Sequence, residues 1–279
     1  MKSKLAIIGV GYEKAGTTSA HDILKSSKKV SAPCVKETFF FNQYYESGAK
    51  YYSSLYKSNK HAKFHLDITP SYHRRGMQIF KRINDFFEKK IIILFLRDPI
   101  HRAFSHYWHD IFYHKIEEFP TLDIEDFDSY TNDYNKYFLN LNKTLTDINH
   151  SFKKEEVLIC YLEDVHSGNF INLLENKIGE SLEIRFKEKQ SNKKKIPSFR
   201  IDSSKLRIFR ENHPVKIPPV DINKNFKDII GGLVKFAAFK RSISLSEYKK
   251  IKERLYSNIR FEEFDIEPQK LFANKKISI

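Results

Sequence analysis

Residues 91–96 read IIILFL and run straight into Arg-Asp-Pro. Six apolar residues in a row, β-branched at the start, leave no polar alternate for a wet face, so the segment belongs inside a sheet covered on both sides. Sheets of that kind are parallel, and helices join their strands. The alternation is legible along the chain. Residues 5–9 predict a first strand and residues 18–27 the helix after it. Residues 65–67 are a shorter strand candidate; Ile79, Phe80, Ile83, Phe86 and Phe87 then recur at helical spacing ahead of the central run. Pro99 stands in the first turn of a helix expected to run through Trp108. Residues 157–161 read as a further strand with a helix at 170–178 behind it. Residues 110–154 predict peripheral helix, 187–200 a basic loop containing proline, and 205–258 helix.

Composition narrows the function. The chain has 279 residues, enough for a full core in a single domain. Its net charge of +14 attracts polyanions or acidic membrane surfaces. Cys34 and Cys160 are too few for a disulfide framework and give no metal-ligand spacing. The longest apolar run, 91–96, is far too short to cross a bilayer. Gly9 cuts off any apolar core of a signal peptide, so a cytoplasmic protein is expected.

In an open α/β sheet, ligands bind outside the carboxyl ends of the strands, where loops lead into helix N-termini. The first such loop lies in GVGYEKAGTTSA, residues 9–20. Gly11 and Gly16 have the spacing of a nucleotide P-loop, but Thr17 stands where that pattern requires lysine, and the lysine is displaced to Lys14. A dinucleotide fingerprint fails too, because Lys14 occupies the place of its third glycine. Amides and hydroxyls of Thr17, Thr18 and Ser19 would still converge where a helix dipole favours an anion, with Lys14 adding a point charge.

Three further stretches carry chemistry. In LRDPIHRAFSHY, residues 96–107, Arg97 ends the strongest strand and Ser105 follows eight residues later, two donors suited to one phosphate. VKETFFFN, residues 35–42, places Lys36 and Glu37 at the edge of an apolar surface, where desolvation is expected to raise the Glu37 pKa and let it accept a proton. LDITPSYH, residues 66–73, reads as a strand ending in a proline turn that brings Tyr72 and His73 to the same sheet edge. Each also has a plain structural reading on its own: a threonine-capped glycine turn at 9–20, an Asp98–Arg102 bridge, or a surface Lys-Glu pair beside a core strand.

Taken together, the order K-x-G-T, K-E-x-x-F-F, T-P-x-Y and R-D-P with a serine eight residues after the arginine resembles the sulfotransferases that use 3′-phosphoadenosine 5′-phosphosulfate (PAPS). The Lys-Glu pair makes it most similar to the carbohydrate enzymes of the heparan sulfate type and their bacterial relatives. CYLEDV, residues 160–165, resembles the Y-E-D strand end of that family, with Leu162 intervening. The resemblance covers roughly residues 5–200 and implies a P-loop-like α/β fold, a central parallel sheet flanked by helices on both faces, with a helical C-terminal part at about 201–270.

It also implies roles. Lys14, Ala15, Gly16, Thr17, Thr18 and Ser19 would hold the 5′-phosphosulfate, and Arg97 with Ser105 the 3′-phosphate, without a metal. Lys195 and Arg200, in a basic loop, would add nucleotide contacts. Glu37 would act as general base, with Lys14 stabilising the leaving oxygen and Lys36 holding the sulfonyl group or substrate. His65, His106 and His109 are the alternatives if the base is a histidine, as in enzymes acting on phenols and steroids. Many of the glycan enzymes carry lysine where Ile68 stands, and Lys36 or His73 would supply that charge.

Tyr72, His73 and Tyr52 are expected at the acceptor cleft, within a tyrosine-rich stretch that also contains Tyr44, Tyr45, Tyr51 and Tyr56. Aromatic rings stack on sugar faces, so the acceptor expected is a glycan or glycolipid, acidic ones suiting the charge. Peripheral contact with the anionic inner face of a membrane is expected on the same ground, and no nucleic acid partner is. Two other classes stay open: a small-molecule kinase with a degenerate P-loop, and a non-catalytic polyanion-binding protein.

Overall fold

The apolar run at 91–96 lies in a strand, Lys90–Leu96, in which every residue is buried. The protein is described here by a computed structural model of residues 4–103, 105–106, 131, 141–186, 250 and 253, with the backbone of 199–201 and 238–240. The chain divides into two compact units. One comprises Met1–Asp98, Asn140–Asn192 and Ile259–Ala273, the other Pro99–Leu139, Lys193–Asn258 and Asn274–Ile279.

The first unit holds a parallel sheet of five strands: β1 (Leu5–Gly11), β2 (Val30–Ser31), β3 (Phe64–Ile68), β4 (Lys90–Leu96) and β5 (Val157–Tyr161). Their order is β2-β3-β1-β4-β5. From β1 the chain passes to the edge strand β2, returns inward to β3 beside β1, then crosses to the other side for β4 and β5. That reversal falls between β1 and β4, and outside the carboxyl ends of strands at such a point is the usual place for a ligand in such a sheet. Among its described residues the helices are α1 (Thr17–Lys25), α2 (Gly48–Ser54), α3 (Met77–Phe86), α4 (Leu141–Ser151), α5 (Leu162–Ser167) and α6 (Asn169–Ile178). Buried Thr17, Ala20, His21 and Leu24 give α1 the apolar-facing stripe of an amphipathic helix, and Ile79, Phe80 and Ile83 do the same for α3. Phe80 meets Phe152 across the α3–α4 contact, ring centroids 5.3 Å apart.

Residues 40–44 form a single π-helical turn whose Phe40 and Phe41 pack with Tyr52, Phe86 and Phe87. This aromatic core anchors the segment that follows Lys36 and Glu37.

β1 runs two residues past Gly9 to Gly11, with an irregular register against β4 between Gly9 and Gly11. β2 is a two-residue strand without a period of its own, and α5 begins immediately after β5. The C-terminal expectation needs correcting. Ala238–Lys240 (β7) lies within the region read as helical and pairs antiparallel with Phe199–Ile201 (β6), which falls at the end of the expected basic loop. A three-residue strand is specified by its distant partner, which local periodicity does not encode. Residues 99–103 and 105–106 are helical as Pro99 suggested, while Trp108 lies outside the described residues.

Candidate functional site

Between β1 and α1 the chain turns sharply. Lys14 (φ 62°) and Gly16 (φ 91°) both adopt left-handed backbone conformations. For lysine that conformation is uncommon, and such strain gathers at ligand sites. For Gly16 a side chain is doubly excluded, because a Cβ there would lie 2.7 Å from Leu162 Cδ1. Leu162, which interrupts the expected Tyr-Glu-Asp run, therefore packs against the glycine of the loop. No side chain caps α1, so its first-turn amides at 17–19 are directed at the loop, and the Thr18 and Ser19 side chains are exposed there.

Arg97 follows the last residue of β4, one strand over. Its Nη1 donates to the Lys14 carbonyl oxygen at 3.0 Å. The guanidinium thus reaches the backbone of the same loop that presents the helix amides. Glu13, unremarked in the sequence, adds a carboxylate to this loop. Arg74 neutralises it, Nη2 to Oε1 at 2.8 Å, which limits its repulsion of an incoming anion.

The proline turn seals the other side of the loop. Pro70–Arg75 is a 3₁₀ turn directly after β3. His73 is buried, its Nδ1 2.6 Å from the Pro70 carbonyl oxygen and its ring edge-on to Tyr12 at 4.4 Å. A Cβ on Gly11 would lie 2.8 Å from His73 Nδ1, so glycine permits this close approach. Ile68 is fully buried, and its side chain fills the space a Cβ on Gly9 would enter.

Lys36 and Glu37 form an ion pair, Nζ to Oε1 at 2.8 Å, and each side chain keeps 30% exposure. The pair is accessible and internally bonded. Behind it lies a group the sequence reading passed over: Asp67, fully buried near the end of β3, accepting hydrogen bonds from Thr38, Thr69, Tyr72 and Tyr52. A strand position flanked by apolar residues marked it only as a break in the pattern. Burial pushes its carboxyl above the usual range while the hydroxyls pull it back.

Two acceptor residues change role. Tyr52 and Tyr72 have no exposed surface and direct their hydroxyls to Asp67, so they are parts of the core and do not face an acceptor. Desolvation raises both phenols well above their ordinary value. Tyr44, in contact with Tyr51 at 5.5 Å between rings, is the exposed aromatic of that stretch. His65, an alternative base, is buried at the second residue of β3, away from the carboxyl edge, and burial lowers it to about 4. Ser105 is half-buried and belongs to the second unit, as does buried His106. Lys195 and His109 lie outside the described residues, and of Arg200 only the backbone in β6 is described.

No family model matches the chain. It is 29% identical over 119 residues to the membrane-associated sulfotransferase kil1 of Dictyostelium discoideum, a match covering 42% of this chain and 25% of that protein. The chain thus spans about a quarter of the length of the curated relative it matches. Among solved structures it resembles a sulfotransferase from Alicyclobacillus acidocaldarius, with a TM-score of 0.51, 16% identity and coverage of 74% of this chain and 91% of that one. It also resembles sulfotransferase STF9 from Mycobacterium avium, TM-score 0.50 and 11% identity, covering 96% of this chain and 78% of the other. Identities that low speak for the fold, and the chain has the fold of these sulfotransferases.

Proposed function

We propose that this relative of the sulfotransferases, alike in fold and in part of its sequence, transfers the sulfonyl group of PAPS to a hydroxyl or amine of a glycan or glycolipid. One observation carries the reading: the Arg97 guanidinium, bonded to the Lys14 carbonyl, shares a loop with the uncapped N-terminus of α1. Helix amides and a guanidinium that meet at one loop, a loop that also carries Lys14, suit a nucleotide with phosphate at both ends of its ribose. The residues that would hold it are Lys14, Ala15, Gly16, Thr17, Thr18, Ser19 and Arg97.

Bound there, the donor supplies a sulfonyl group activated by its phosphate. Lys14 stabilises the negative charge that grows on the oxygen bridging sulfur and phosphorus as the S–O bond breaks. Glu37 takes the proton of the attacking hydroxyl or amine, and Lys36, 2.8 Å from that carboxylate, holds it in place and offers a charge to the sulfonyl oxygens. Exposed Tyr44 gives a sugar ring a face to stack on. The +14 charge suits an acidic acceptor or an anionic membrane, and the Dictyostelium relative is named as membrane-associated.

Calorimetry with 3′-phosphoadenosine 5′-phosphate (PAP), and with ATP in the presence and absence of magnesium, tests the nucleotide. PAP is expected to bind more tightly than ATP under both conditions; preference for magnesium-ATP removes the reading. Radiolabelled PAPS offered to glycan and lipid fractions then identifies the acceptor, and labelling of neither fraction overturns the acceptor class.

A further inference from the structure

Residues 34–39, which carry the Lys36–Glu37 pair, lie outside any helix or strand, so their position must come from specific bonds. Thr38 makes them. Its amide donates to Thr69 Oγ1 at 3.1 Å, its hydroxyl donates to Asp67 Oδ2 at 2.7 Å, and the same oxygen accepts the Phe40 amide at 3.2 Å. Thr69 is itself held by Asp67 Oδ1 at 2.8 Å. Both ends of the Asp67 carboxylate therefore act on Thr38, one directly and one through Thr69.

The peptide link makes this consequential for the neighbouring residue. The Glu37–Thr38 peptide is planar, so fixing the Thr38 N–H fixes the plane that also contains the Glu37 carbonyl. The hydroxyls of Thr38, Thr69, Tyr72 and Tyr52 all donate to the two oxygens of the Asp67 carboxyl group. An amide in its place would turn N–H groups toward some of these donors and break the arrangement. Such a buried polar cluster is costly to desolvate, and the segment it holds is the one presenting the accessible ion pair.

We propose that Asp67 is a positioning residue for the Lys36–Glu37 pair, setting the Glu37 carboxylate at the acceptor proton by way of Thr38 and Thr69. The proposal rests on the reading of Glu37 as the base, and its test separates the two. Thr38→Val removes the hydroxyl while keeping the branched shape; Thr38→Ser restores it; Asp67→Asn replaces the acceptor itself. For each, PAP affinity is measured by calorimetry, sulfonyl transfer by single turnover, and amide hydrogen exchange across residues 35–41.

Thr38→Val is expected to slow transfer about 10- to 100-fold with PAP affinity within about twofold of wild type, and Thr38→Ser to recover most of the rate. Exchange at 35–41 speeds up in Thr38→Val and Asp67→Asn. Transfer within about twofold of wild type in Thr38→Val overturns the proposal, as does a parallel loss of PAP affinity, which signals general loosening. If Asp67→Asn does not fold, the Thr38 pair decides. If Glu37→Gln turns over normally, or wild type transfers nothing, the base reading has failed instead. The exchange measurement still tests the hold: unchanged protection in Thr38→Val overturns it.

Discussion

The two sides of the proposed site are built in opposite ways. The donor loop, residues 12–19, is shaped by the backbone: two left-handed residues, an uncapped helix end, and a guanidinium braced on a carbonyl. Its helix-end amides and the exposed Thr18 and Ser19 suit an anion. The acceptor segment, 34–42, is shaped from beneath, by a buried carboxylate and a packed aromatic cluster. Its two charged side chains form an ion pair with each other. A loop that waits for its ligand contributes binding, whereas a segment fixed in advance contributes orientation, so mutations on the two sides should separate affinity from rate.

The largest expected effect is on the acceptor side. Glu37→Gln should lower turnover by about 10²- to 10⁴-fold while leaving PAP affinity unchanged, measured by single-turnover transfer beside calorimetry. Full turnover in that variant would erase the division between the two sides.

Gly16→Ala probes the donor side with a smaller effect. The added methyl meets Leu162 Cδ1 at 2.7 Å in a backbone conformation that alanine resists, so a loss of roughly 1–3 kcal/mol in stability is expected, with PAP affinity falling alongside. Adding Leu162→Ala should return the steric part and leave the backbone part. Strictly additive losses in urea titrations would show that Leu162 is not the obstacle.

The smallest effect expected at neutral pH separates the Asp67 hold from the general stability of β3. His65 sits near the opposite end of that strand and is lowered to about 4 by burial and by the charges of Lys4 and the N-terminus. An unfolded histidine, titrating near 6.5, binds a proton first, so stability falls as pH drops below about 6.5 and levels off near 4, at roughly 1.4 kcal/mol per pH unit. His65→Gln should flatten that acid limb in thermal scans and leave turnover at neutral pH intact. Turnover falling with His65→Gln would mean that strand stability, not Asp67, governs the acceptor segment.

Legibility followed the range of the interactions involved. β4 and β5 were readable because an apolar run is a local property, and the donor loop because glycine, lysine and hydroxyl residues lie consecutively there. β2, β6 and β7 were not, since two or three residues acquire strand character only from a partner far along the chain. Tyr52 and Tyr72 were misread because a tyrosine ring has the same composition whether it lines a cleft or closes a core; only their bonds to Asp67 distinguish the cases. Leu162 looked like an interruption of a motif, and its contact with Gly16 across the sheet edge shows what it does instead. The Glu13–Arg74 bridge joins residues from the loop and the proline turn, a pairing no local pattern announces.

The central claim is that Arg97 and the 12–19 loop hold one adenylate between them. A calorimetric cycle tests it directly, with wild type and Arg97→Ala each titrated with PAP and with adenosine 5′-monophosphate, which lacks the 3′-phosphate. Arg97→Ala should weaken PAP by about tenfold or more and the monophosphate by less, the smaller loss reporting the missing brace on the Lys14 carbonyl. PAP binding unchanged by Arg97→Ala, or equal losses for the two nucleotides, would contradict the claim.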